Sequence, residues 1–193
     1  MDRYHIALFI HLFAFIVAAG ATATTKLAAG RLARAKTVAD ALDWHGVLSS
    51  ASKLFPLCTA ALVITGSYML SFSNAAVWRS GFVVAGLTGV VLLLVIGGFL
   101  GAKGKAVQQR LEQLAARNPD QPAPKFVPPP IVAALPMINT GIALSVAFDM
   151  VTKPASVPAA LGIVAIGIVL GAATGLRRPA LAARPAATFS RSV

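Results

Sequence analysis

Long apolar runs alternate along this chain with short basic or small-polar interruptions. Five runs stand out, at residues 4–25 (YHIALFIHLFAFIVAAGATATT), 54–72, 82–102 (with the core VVLLLVIGGFLG), 131–150 and 157–176. A hydrocarbon layer about 30 Å thick is crossed by roughly 20 helical residues, so each run has the length of a transmembrane helix. None alternates strictly between apolar and polar positions. An open strand in lipid would also leave its backbone edges unpaired. The pattern predicts an all-α membrane protein, a single bundle of five transmembrane helices over residues 1–176. Residues 103–130 form a cytoplasmic helix extension and proline-rich linker, and residues 177–193 a basic cytoplasmic tail.

The fourth run is the weakest, because Pro136, Asn139 and Asp149 each oppose insertion. The basic residues arbitrate. With five crossings, Lys26, Arg31, Arg34, Lys36, Lys53, Lys103, Lys105, Arg110, Arg117, Lys125, Arg177, Arg178, Arg184 and Arg191 share one side, against Arg3, Arg79 and Lys153 on the other. With four crossings the asymmetry falls sharply. The positive-inside rule therefore favours five crossings, N-terminus outside and C-terminus cytoplasmic, in a bacterial-type inner membrane. The small residues AAGATAT after the first run resemble a cleavage site, but Asp2 offsets Arg3 and five basic residues follow the run. That gradient predicts an uncleaved anchor.

Composition narrows the class further. Of 193 residues 57% are apolar and only 12% charged, with a mean hydropathy of +0.77. These values exclude a soluble globular enzyme and a disordered chain. The net charge of +11 would suggest nucleic acid in a soluble domain, but here the basic residues lie between the apolar runs and are assigned to topology, with no nucleic-acid partner. The single cysteine, Cys58, excludes an internal disulfide and any multi-cysteine metal site.

Between the runs, residues 26–53 carry Leu32, Ala35, Ala39 and Leu42 at helical spacing among basic residues. This stretch is expected to extend the first helix or lie on the membrane surface, with Trp44 as an interface anchor. KGKAVQQRLEQLAAR continues the third helix, with Val107, Leu111 and Leu114 on one face, before the break at NPDQPAPKFVPPP. The short loops predict that helices two and three pair, as do four and five.

Gly167, Gly171 and Gly175 repeat every fourth residue, as do Gly97 and Gly101, and such smooth stripes mark where membrane helices approach closely. They predict either packing within the bundle or an interface to another subunit or a second copy. Chemistry has few carriers. His11 lies about 10 Å along helix one from Tyr4. His5 is six residues from His11, about 120° around the helix, which is poor spacing for a shared metal. Alternating topology puts His5, His11, Met69, Asp149 and Met150 in the outer leaflet, where imidazole and thioether groups would suit copper or haem iron. Asn139 and Thr140 are mid-membrane polar groups, either hydrogen-bonding across helices or lining a path for a small solute. No Walker loop, dinucleotide fingerprint, GxSxG or HExxH motif is present, so no catalytic residues are assigned.

The leading helix YHIALFIHLFAFIVAAG, followed by a basic stretch and LFPLCTAALVITGSYML with Thr65-Gly66, resembles a group of bacterial integral membrane proteins of unknown function. That group is distantly similar to the membrane part of copper-resistance protein D and to the small histidine-bearing membrane oxidase of haem synthesis. The resemblance covers residues 4–72 and implies metal or haem contact at His11. The further histidines and acidic residues of the haem-synthesis enzyme are missing here. Three functions follow as expectations: a non-enzymatic accessory or scaffold subunit of a membrane complex, a copper or haem handling protein using His11, or a small-solute permease.

Overall fold

A computed structural model describes residues 2–125 and 128–182, with side chains to residue 177. The described residues form six α-helices: α1 Arg3–Leu32, α2 Val38–Ser52, α3 Leu54–Ser71, α4 Gly81–Arg117, α5 Pro130–Thr152 and α6 Val157–Ala182, with one 3-10 turn at Ala75–Arg79. Five stretches are long and apolar enough to cross a membrane: Arg3–Leu32, Val38–Ser71, Gly81–Arg117, Pro130–Thr152 and Val157–Arg177. Phe9, Phe13, Ile16, Leu57, Ile64, Val95, Val151 and Val169 are all exposed. A water-soluble surface does not carry so much apolar area, whereas lipid solvates it at no cost. The chain is a multi-pass helical membrane protein.

The five apolar runs lie in α1, α3, α4, α5 and α6, and three of these helices run on past them. The first helix runs on to Leu32, the third is one helix of 37 residues through Arg117, and the fifth continues to Ala182, into the segment read as tail. Residues 183–193 lie outside the described residues, as do Phe126 and Val127 of the linker. Local chemistry sets the ends. The Thr37 hydroxyl accepts from the Asp40 N–H at 3.2 Å and caps α2. Pro130 occupies the first turn of α5, where its missing N–H costs nothing. Lys153, at φ 48°, closes α5 in the left-handed conformation, its N–H bonded to the Asp149 carbonyl at 2.8 Å, and Pro154 follows. α2 carries Asp40 and Asp43 and packs on the polar extension of α4, so the second crossing belongs to α3, and α2 lies at the end of the bundle rich in basic residues.

The helices sort into two halves. α1 packs along α2 and α3, and α4 packs along α5 and α6. The halves join where α2 meets α4, at the basic end. There Val38, Ala41 and Leu111 form a buried core with Leu32, Ala35, Leu42, Val107 and Leu114 around it. Three backbone hydrogen bonds stitch the linker to the α1–α2 connection: Val38 N–H to Gln121 O, Ala39 N–H to Pro119 O and Ala123 N–H to Lys36 O. The pairing expected for helices four and five is present as α5 with α6. Helices two and three, α3 and α4, do not pack along one another although their loop is short. The 3-10 turn lengthens that connection, and α3 is engaged by α1 instead.

Each half has its own packing surface. On α1, Ala7, Ala14, Ala21 and Ala28 are buried. Their seven-residue repeat is the spacing of a left-handed helix seam, and a methyl at each position brings the neighbouring helix close. In the other half, a Cβ built on Gly141 or Gly167 would overlap the other residue's carbonyl, one on Gly171 would meet the Met137 carbonyl at 2.6 Å, and one on Gly175 would meet the Ala134 Cα at 2.7 Å. The α6 stripe is therefore an internal interface, with backbone on backbone. The Gly97–Gly101 stripe is not: at Gly97, Gly98, Gly101 and Gly104 an added Cβ would meet nothing within 4 Å.

Candidate functional site

The α1–α3 seam holds the one intramembrane histidine. His11 Nδ1 lies 2.9 Å from Thr65 Oγ1, and the Thr65 hydroxyl lies 2.6 Å from the Ala61 carbonyl one turn back. A hydroxyl has one proton to give. With that proton on the Ala61 carbonyl, the His11 contact is Nδ1–H donating to Thr65, and Nε2 keeps its lone pair. Gly66 lies beside the ring, where a Cβ would come into van der Waals contact, 3.4 Å from His11 Cε1. Of the pair Thr65 and Gly66, noted in the sequence only as a short motif, Thr65 holds the imidazole by a hydrogen bond and Gly66 borders it. An outer hydrogen bond that fixes tautomer and ring orientation is the arrangement that prepares a histidine to bind a metal or accept a hydrogen bond.

At the Arg3 end of this seam an aromatic group caps the helices. Tyr4 meets His5 and Phe72 edge-on, and Tyr68 meets Phe72 in the same way. Such rings favour the membrane–water boundary. Beside them a groove of about 330 Å³ runs between α1 and α3, lined by Arg3, Ile6, Ala7, Ile10, Ile64, Thr65 and Tyr68.

The residues expected to gather around His11 are dispersed. His5 is exposed among the rings. Met69 is half-buried one turn beyond Thr65 on α3. Met150 sits instead against α4, where a Cβ on Gly86 would meet its Cε at 2.5 Å, and Asp149 is fully buried in the other half of the molecule. α1 and α5 share no packed interface. The described residues include no group of three His, Cys, Asp or Glu side chains able to hold a metal ion. They offer His11 Nε2 and, a turn away, one thioether. A haem or copper held here would draw its remaining ligands from outside the described residues.

The mid-membrane polar residues divide. The Thr140 hydroxyl donates to its own helix at Pro136 O, 2.8 Å away, so it neither bonds across helices nor relieves the carbonyl that Pro136 leaves free. Asn139 Oδ1 and both oxygens of Asp149 are enclosed with no hydrogen-bond partner, while Ser145 on the same helix bonds to the Gly141 and Ile142 carbonyls. Cys58 is buried on α3.

One buried polar group among the described residues lies on α2, outside the crossing assigned to α3, and carried no expectation from the sequence. His45, on α2, is 2% exposed and neither ring nitrogen has a hydrogen-bond partner. Burial pulls its pKa below the ordinary imidazole value, against weaker opposing effects from the Gly104 backbone and the Glu112 carboxylate. The adjacent Trp44 ring lies under the Arg31 guanidinium at 5.7 Å. The signal that could have found it is the spacing of residues 38, 41 and 45, which lie on one helical face; the spacing read instead was that of Leu32, Ala35, Ala39 and Leu42.

Comparison with protein-family models, with curated proteins and with solved structures finds no match to this chain.

Proposed function

We propose that this protein is a non-enzymatic subunit of a membrane complex, and that it meets its partner along the free edge of α4. The observation that carries this reading is the contrast between the two glycine stripes. On α6 every stripe glycine is covered by α5, whereas Gly97, Gly98 and Gly101 are exposed and face open space. Glycine lowers helix propensity by about 1 kcal/mol per residue relative to alanine, and three such positions on one segment have no internal packing to offset that cost. A second helix seated on them would supply it. The test is gentle detergent extraction followed by mass identification of co-purifying proteins. Gly97→Leu with Gly101→Leu is expected to lower partner recovery at least tenfold and leave stability within about 0.5 kcal/mol of the parent. Unchanged recovery would remove the reading.

A second reading is favoured by one specific observation, the 2.9 Å contact of His11 Nδ1 with Thr65 Oγ1, whose hydroxyl is itself 2.6 Å from the Ala61 carbonyl. In this reading His11 would hold haem iron or copper through Nε2, with Met69, one turn past Thr65 on α3, as a further candidate ligand, in a protein that handles the metal without transforming a substrate. Purified protein should then show a haem absorbance band or stoichiometric copper. His11→Ala should abolish it, and Thr65→Val should shift the ligand-field spectrum and weaken retention about 10- to 100-fold. Metal-free, colourless protein from cells supplied with both would end this reading without touching the first.

A further inference from the structure

The groove between α1 and α3 has a polarity gradient along its length. Its lining is apolar along Ile6, Ile10 and Ile64, and Arg3 and Tyr68 line it at the end where α1 begins. Arg3 is the first residue of α1, so its guanidinium stands beside the first turn of a helix, where free backbone N–H groups add partial positive charge. Among the described residues Arg3 has no ion-pair partner, and the Asp2 carboxylate before it is exposed, caps no N–H and does not line the groove. The aromatic group of Tyr4, Tyr68 and Phe72 at the same end has the make-up of a headgroup-level belt. From Arg3 to Ile10 the helix rises about 10 Å, the depth of the upper part of an acyl chain. A cation at headgroup level above an apolar channel open to lipid is the complement of one molecular class.

We propose that this groove is a binding site for a phospholipid with a net negative headgroup. The phosphate sits on Arg3 beside the Tyr68 ring, and one acyl chain lies along Ile6, Ile10 and Ile64. The site lies on the α1–α3 half, away from the free α4 edge, so it is independent of subunit docking. One basic side chain at the membrane surface corresponds to about a fivefold preference for an anionic over a zwitterionic lipid. The rest of the affinity comes from the chain and is shared by both lipids.

The experiment is native mass spectrometry of the delipidated full chain in detergent, titrated with phosphatidylglycerol or phosphatidylcholine of identical chains. The parent is expected to bind one phosphatidylglycerol saturably, about fivefold tighter than phosphatidylcholine. Arg3→Ala should equalise the two lipids while still binding both. Ile64→Trp, at a position 67% exposed and so tolerant of bulk, should fill the groove and abolish saturable binding of either. Arg79→Ala with Lys153→Ala should leave the preference intact, and glycerol phosphate without chains should not compete. The proposal is overturned if the parent binds both lipids equally, if the preference survives Arg3→Ala, or if it disappears with Arg79 and Lys153 instead.

Discussion

A single methyl group at Gly167 is expected to destabilise the bundle by about 2 kcal/mol, whereas the same methyl at Gly101 leaves it unchanged or about 0.5 kcal/mol more stable. Both substitutions are Gly→Ala, both lie in helices, and both raise helix propensity. They differ in what the new Cβ meets. At Gly167 it would stand 2.5 Å from the Gly141 carbonyl oxygen and 2.6 Å from Ser145 Oγ. The hydroxyl can rotate away, but the carbonyl belongs to the backbone of α5 and moves only if the helix moves. Separating α5 from α6 also lifts Gly171 off Met137 and Gly175 off Ala134, so one methyl loosens three close approaches. At Gly101 the Cβ enters open space. Reversible denaturation of the two variants in mixed micelles measures the difference directly. Equal stabilities would mean that α5 and α6 are not in backbone contact, and the division of the glycines into covered and free would fall with it.

That contrast also shows where sequence reasoning stops in a membrane protein. The lengths of the crossings were legible because lipid thickness sets them, and the helical extension to Arg117 because the spacing of Val107, Leu111 and Leu114 persists past the apolar run, whereas the spacing of Leu32 and Ala35 runs straight through the break after α1 and did not mark it. Pairing was not legible. In water a helix marks its buried face with apolar residues. In lipid every face is apolar, and the face that meets a neighbour is marked only by small side chains. Two glycine stripes of the same spacing therefore read alike although one is covered and one is free. The α1 seam was missed because alanines at 7, 14, 21 and 28 do not stand out in so alanine-rich a chain. The cluster of His11 with Asp149 and Met150 was drawn from depth alone. Depth was a fair guide to which residues share a leaflet, but it says nothing about which helices adjoin, and the helices of these residues lie in separate halves. Thr65 and Gly66 were noticed as a motif, but the hydrogen bond of Thr65 to His11 became visible only with the two helices packed together.

Acidification is expected to open the join between the halves through His45. The imidazole is enclosed at the α2–α4 contact with both nitrogens unpartnered, a state tolerable for a neutral ring and costly for a cation. Its pKa in the closed join is lowered, chiefly by burial, from an ordinary value of 6.5. The closed form therefore binds fewer protons than an open form in which the ring is hydrated. The contribution of His45 to closure is complete above 6.5 and is lost as pH falls towards the lowered value, by at most about 1.4 kcal/mol per pH unit. The charged group acting on it is Glu112 on α4. Glu112 moderates the loss without cancelling it, since burial is the larger effect. The consequence is specific because α2 on α4 is where the two halves are joined, and the hydrogen bonds of Val38, Ala39 and Ala123 lie at the same contact. In a Trp78→Phe background Trp44 is the only tryptophan, and its emission should move to longer wavelength as pH drops below the imidazole range. His45→Leu fills the same space without a titrating nitrogen, so it should hold the join closed and flatten the titration. An unchanged titration in His45→Leu would assign the transition to another group, and a flat titration in the parent would mean that the buried ring does not feel the halves part.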